Sequence, residues 1–254
     1  MLFVVAGGLL GLIMGGLNGL IVGIVLGYGA SYAVGYVLRR GLSVVQSTLV
    51  DSIFSVMGAL CKADSVVTRD EIDAVERVFG MLRLSDEQRK RAKAAFNRGK
   101  QPDFDLDAAV DDFRKVSAGR APLINLFLQL QTMAIAADGR IDPAEHEMLV
   151  RVGRRLGLGE RDVAQLEALL RAAGGGTSAA PASARLDDAY TALGVAKDAT
   201  DAEVKRAYRR LISQNHPDKL AARGLPESMR AVAEERSREL NAAYDLIKEA
   251  RGIP

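Results

Sequence analysis

Cysteine is nearly absent: Cys61 stands alone in 254 residues. No disulfide can form within the chain, and the paired Cys-x-x-Cys units of a zinc module are missing. Cys61 itself reads as a small buried hydrophobe beside Leu60. Histidine is as scarce, with only His146 and His216. His216 has the ring chemistry of a general base, but the chain has no Ser nucleophile elbow, no phosphate-cradling Gly-Lys loop and no His-Glu-x-x-His pair to work with it. An enzyme active site, a resident cofactor and a metal centre are therefore not expected. A surplus of charge of one sign is lacking too. Residues 39–171 hold 21 Lys and Arg against 20 Asp and Glu, and residues 186–254 hold 12 of each, so no nucleic-acid surface is indicated. Strand-type alternation is also absent, which leaves an all-α chain.

Charge is missing altogether from residues 1–38. About 20 apolar residues suffice to cross a bilayer, so this stretch is read as one long or tilted transmembrane helix. A signal peptide fits less well, because the basic start, the short apolar run and the cleavable small-residue motif are not found. Tyr28, Tyr32 and Tyr36 lie where amphipathic rings favour the interface, and Arg39-Arg40 follow. The positive-inside rule then puts the N-terminus in the periplasm and everything after Arg40 in the cytoplasm. A hairpin turning near Asn18-Gly19 is the alternative, with a first arm too short to cross comfortably. Gly7, Gly11, Gly15, Gly19, Gly23 and Gly27 recur every fourth residue and form a side-chain-free face, which predicts pairing of two copies into a homodimer through the membrane.

At the other end, Thr200-Asp201-Ala202-Glu203 is a capping box that starts a helix. Val204, Ala207, Tyr208, Leu211 and Ile212 mark its packing face, and Lys205, Arg206, Arg209 and Arg210 project from the other. Pro217 biases His216 away from helical geometry, so His216-Pro217-Asp218 falls in the turn after the helix. Pro226 and Glu227 suit the start of a further helix, with an apolar stripe from Met229 through Leu240 to Ile247. Asp188-Ala-Tyr190, Leu193-Gly194-Val195, the basic helix, the turn and Ala243-Tyr244 together resemble a J domain over residues 186–254. The resemblance implies docking on the ATP-dependent chaperone DnaK through His216, Pro217, Asp218, Lys205, Arg206, Arg209 and Arg210, and stimulation of its ATP hydrolysis. Ser237 stands where many J domains carry phenylalanine, a departure that concerns core packing.

Between these ends, residues 39–172 repeat amphipathic helical patterns. Ala63-Asp64 through Glu71 parallels Ala137-Asp138 through Glu145, each copy ending one helix and starting another. Thr68 with Glu71, and Asp142 with Glu145, make capping boxes that explain these residues without a ligand. The duplicated pattern resembles the TerB-like domain, a family in which acidic turns have been linked to metal. Asp138, Asp142, Glu145 and His146 could supply ligands, but they lack EF-hand spacing. Residues 173–185 read as a flexible Gly/Ala/Ser linker reaching roughly 20 Å. The order of anchor, TerB-like domain, linker and J domain is similar to the DjlA family of bacterial inner-membrane co-chaperones. That resemblance implies a tethered activator of DnaK, with client selection resting elsewhere because zinc repeats and a Gly/Phe-rich segment are absent. The alternative is an envelope-stress signalling or structural adaptor acting mainly through the central domain.

Overall fold

The computed structural model describes residues 2–63, 67–137, 141–174, 181–222 and 225–253, and every regular element among them is helical. The chain divides into two compact units, Met1–Thr48 and Leu49–Pro254, with α1 (Leu2–Leu60) contributing to both.

In the first unit α1 is not one straight rod. Gly16 takes a φ of +59°, a left-handed conformation that glycine adopts without steric cost, and the helix reverses there. A Cβ on Gly7 would strike the carbonyl oxygen of Gly23, and one on Gly27 would strike the carbonyl oxygen of Phe3. The early arm therefore lies back along the later one, with bare backbones in contact. The expected continuous helix is corrected to a hairpin that turns two residues before Asn18. Phe3 is brought against Gly27, not set a full span away from it. Gly16–Val34 is long and apolar enough to cross a membrane, and its Leu17, Val25, Leu26, Tyr28 and Tyr32 are exposed. Phe3–Met14 is a shorter apolar stretch. Gly7, Gly23 and Gly27 thus pack within the chain; the surroundings of Gly11, Gly15 and Gly19, and the side chains of residues 35–46, lie outside the described residues.

The second unit begins with the end of α1 and continues through α2 (Arg69–Met81), α3 (Asp86–Gly99), α4 (Leu106–Ser117), α5 (Ala121–Ile135), α6 (Pro143–Arg155) and α7 (Glu160–Ala172). α5 carries no charged residue and buries side chains around its whole circumference, from Leu123 and Phe127 to Gln131 and Ile135, so the other helices surround it. Phe113 stacks on Phe127 with ring centroids 4.0 Å apart, and Phe54 meets Phe79 at 4.9 Å. Glycine permits one further close approach: a Cβ on Gly58 or Gly99 would collide with the backbone carbonyl of Phe96 or Ser55. Cys61 is a free, buried thiol, its pKa pushed up by burial and by the neighbouring Glu71 carboxylate.

Both copies of the repeat cap helices. The Thr68 amide donates to Glu71 Oε2 at 2.6 Å and the Glu71 amide to Thr68 Oγ1 at 3.2 Å, closing the start of α2. At α6 the Asp142 amide donates to Glu145 Oε2 at 2.9 Å and the Ala144 amide to Asp142 Oδ1 at 2.8 Å. His146 turns away to Glu167, Nδ1 to Oε1 at 2.7 Å. Asp138 lies outside the described residues, and among the described residues no cluster of three or more His, Cys, Asp or Glu is placed to hold a metal.

After α7 come α8 (Ala182–Leu193), α9 (Asp201–Asn215), α10 (Pro217–Ala222), a 3-10 turn at Glu227–Met229 and α11 (Arg230–Arg251). The expected linker is shorter than residues 173–185, because α8 already includes 182–185; residues 175–180 lie outside the described residues. The J-type helices are packed against the central helices. Ala168 and Ala172 of α7 share a buried cluster with Ala189, Ala192 and Leu193 of α8, small residues that let the two helices lie close. Leu220, Met229, Val232 and Ala233 enter the same core as Leu123, Leu126 and Leu166. Arg171 pairs with Asp188 at 3.0 Å across the same joint.

One polar contact crosses this joint in full burial: Gln129 Nε2 donates to Glu239 Oε2 at 2.9 Å. Burial pushes the Glu239 carboxyl up to about 8, against the opposing pull of Arg236. An acid whose folded pKa lies above its ordinary value near 4.5 holds its proton in the folded state only. Its contribution is full at acid pH and is lost as pH rises toward the folded value. Thermal unfolding of Glu239→Gln should therefore match the wild type near pH 5 and show a higher midpoint near pH 8. Two glycines give a second check. Gly80 has nothing within 4 Å of an added Cβ, so Gly80→Ala should stabilise by roughly 0.5–1 kcal/mol in denaturant titrations through helix propensity. Gly99→Ala should lower stability by about 1–3 kcal/mol, since the Ser55 backbone must shift.

Candidate functional site: an exposed His-Pro-Asp turn

α9 starts at the expected capping box. The Thr200 amide and hydroxyl donate to Glu203 Oε2 at 2.7 and 2.8 Å, which lowers the Glu203 pKa, and the Glu203 amide donates to Thr200 Oγ1 at 3.3 Å. Val204 and Ala207 are buried, and Tyr208 stacks on Tyr244 of α11 with centroids 4.1 Å apart and rings within 7° of parallel. The Tyr208 hydroxyl donates to Asn241 Oδ1 at 2.9 Å, which sets the register of the two helices. With this face fixed, Lys205, Arg206, Arg209 and Arg210 are exposed on the other.

The helix stops at His216, whose φ of −61° and ψ of 125° are extended, as the following proline requires. The Asp218 amide donates to His216 Nδ1 at 3.2 Å. Nδ1 must then be an acceptor, so in the neutral ring the proton sits on Nε2. The side chains of His216 and Asp218 remain 49% and 69% exposed, which leaves both groups open to a partner. Pro217 opens α10, and the Leu220 amide returns to the His216 carbonyl at 3.0 Å. Leu220 is buried beneath and anchors the turn from its inner side.

Several supports were not expected from the sequence. Arg230 of α11 reaches Asp218 Oδ1 at 3.2 Å and Glu234 at 3.2 Å, so the turn is braced from the next helix. Ser237 donates to the Ala233 carbonyl at 3.0 Å and its hydroxyl lies 3.5 Å from the Asn215 carbonyl, one residue before His216. The serine in the usual phenylalanine position is thus satisfied within α11. Arg251 binds the Tyr190 hydroxyl at 2.6 Å, the Ala199 carbonyl at 2.7 Å, Asp201 at 2.8 Å and the Lys197 carbonyl at 2.9 Å. One guanidinium therefore ties the end of α11 to the α8–α9 connection. A basic residue in a last turn is a visible helix signal, but its partners 50 or more residues away are not.

The arrangement offers an imidazole, a carboxylate and a row of cations on one exposed edge. An exposed edge of this composition is suited to recognising a partner surface.

Comparison with known proteins agrees with this division. Residues 51–168 match the family model described as tellurite resistance protein TerB, and residues 188–251 match the DnaJ domain. No solved structure matches. The protein named co-chaperone protein DjlA of Shewanella oneidensis is 38% identical, covering 82% of this chain and 80% of its own length. That of Photobacterium profundum is 40% identical over 79% of this chain and 76% of its own length. That of Pasteurella multocida is 35% identical over 82% and 81%. The TerB and J-domain regions occur in the order the sequence predicts, and a relationship of this extent runs through both, so the chain belongs to the DjlA family of co-chaperones.

Proposed function

We propose that this chain is a membrane-tethered co-chaperone that docks a DnaK-type chaperone through its J domain and stimulates ATP hydrolysis there, without catalysing a reaction of its own. The observation that carries the reading is the exposed turn, where His216 is held in one tautomer by the Asp218 amide at the foot of a cationic helix face. His216, Pro217 and Asp218 form the contact that triggers hydrolysis, and Lys205, Arg206, Arg209 and Arg210 supply the electrostatic approach. Fixing the opposite face of the J domain to the central helices leaves this edge clear. The apolar stretch Gly16–Val34 supplies the tether to the bacterial inner membrane, and Arg39-Arg40 favour a cytoplasmic side for the second unit. Pairing of two copies through Gly7, Gly23 and Gly27 would first require the hairpin at Gly16 to open.

Turnover of ATP by DnaK tests the reading. Added full-length protein should accelerate hydrolysis, and His216→Gln should abolish the acceleration with the far-ultraviolet circular dichroism unchanged. A variant as active as the wild type would overturn the assignment and leave the central domain as the functional part. The basic face makes a separate expectation. Arg209→Glu should weaken DnaK binding about tenfold or more, and wild-type binding should weaken with added salt, since exposed charges are screened beyond roughly 10 Å at 0.1 M. Titration by calorimetry at two salt concentrations reads both effects.

A further inference from the structure

A cleft of about 430 Å³ lies where the central helices meet the J-type helices, between the start of α5, α7, α9 and α11. Its walls carry Arg236 and Arg210, the amides of Asn125, Gln165 and Gln214, and the carboxylate of Asp162. We infer that this cleft binds a small-molecule oxyanion, a phosphate or carboxylate group on a compact body, between Arg236 and Arg210.

Arg236 points to the ligand. Although the residue as a whole is partly exposed at the cleft, its Nε and Nη1 are shut away from solvent and have no hydrogen-bond partner. Glu239 is close enough to attract it, but the hydrogen bond at Glu239 Oε2 comes from Gln129 and not from the guanidinium. Two enclosed guanidinium nitrogens without an acceptor are costly, and a guanidinium is the side chain whose planar fork best matches phosphate and carboxylate oxygens. Arg236 lines the cleft, so an oxyanion held there lies beside this guanidinium.

The surroundings favour an anion independently. Arg210 contributes a second cation and forms no ion pair among the described residues, whereas the one acidic lining group, Asp162, accepts the Gly159 amide at 2.7 Å at the start of α7. The beginning of α5 opens on the same space through Ala121 and Pro122, and no side chain caps that helix. Its positive end therefore adds to the field of the two arginines. The neutral amides offer donors and acceptors for the body of the ligand, and the volume lies in the range of small-molecule sites. An occupant would touch helices from both halves of the unit. Asn215, on the cleft wall, immediately precedes His216, so the ligand would sit directly behind the chaperone-docking turn.

The test uses full-length protein in detergent, followed by thermal unfolding and isothermal titration with sodium phosphate or sodium acetate, against sodium chloride at matched ionic strength. A saturable rise in midpoint with phosphate, or with acetate, beyond that with chloride supports the site, and the effective salt identifies which oxyanion it takes. Arg236→Met should reduce apparent affinity at least about tenfold. Arg210→Gln, an exposed position whose replacement leaves the fold intact, should reduce it as well, and Arg238→Gln, on the outer face of α11, should not. Indistinguishable behaviour in phosphate, acetate and chloride, or an undiminished response in Arg210→Gln, would overturn the proposal. This outcome does not depend on whether DnaK is stimulated.

Discussion

Apolar side chains of α10, the 3-10 turn and α11, Leu220, Met229, Val232 and Ala233, are buried in the same cluster as Leu123, Leu126 and Leu166 of the central helices. The placement of the docking edge hangs on that shared core. Without it the J-type helices would swing on the residues after α7, and the turn at His216 would have no fixed direction. With it, one face of the helix pair is committed to α5 and α7, and the edge formed by α9 and the turn is left for a partner. Burial of this kind contributes on the order of 25 cal/mol per Å² of apolar surface, so a handful of aliphatic side chains holds the joint where single surface ion pairs could not.

Polar groups at the joint act as selectors of geometry more than as sources of stability. Gln129 and Glu239 are 110 residues apart and meet at 2.9 Å in full burial. Such a bond is worth little net when made and a great deal when broken, because the buried carboxyl is then left unsatisfied. It therefore penalises alternative dockings of α11. Satisfaction is incomplete at Gln129 Oε1, at Arg185 Nε and at Nε and Nη1 of Arg236, and of these residues Arg236 lines the cleft.

What could be read from the sequence was local. Capping boxes at Thr68, Asp142 and Thr200 formed as their spacing predicts, because the partners lie three residues apart. The packing and cationic faces of α9 followed from helical periodicity, and the extended conformation of His216 followed from Pro217. The misses were of two kinds. Some contacts join residues distant in the chain, as with Arg251 and Tyr190, Arg230 and Asp218, or α7 and α8, and no local pattern encodes them. The small residues of 182–185 looked like linker, yet they form the exposed first turn of α8, whose later Ala189 and Ala192 pack closely on α7. The other kind is backbone choice. Six glycines at intervals of four predict one smooth face, but Gly16, which stands outside that series, takes the left-handed conformation and folds the face onto itself.

Hydrogen–deuterium exchange on the full-length protein, with and without ATP-bound DnaK, tests the central claim most directly. The turn and basic face should be the docking edge while the joint stays closed. Binding should slow exchange over residues 205–219 and leave residues 123–131 and 229–240 unchanged. Protection centred on the central helices, or faster exchange across the α5 and α11 contact, would contradict the account, showing that the chaperone is recognised elsewhere or only after the J domain has left its seat.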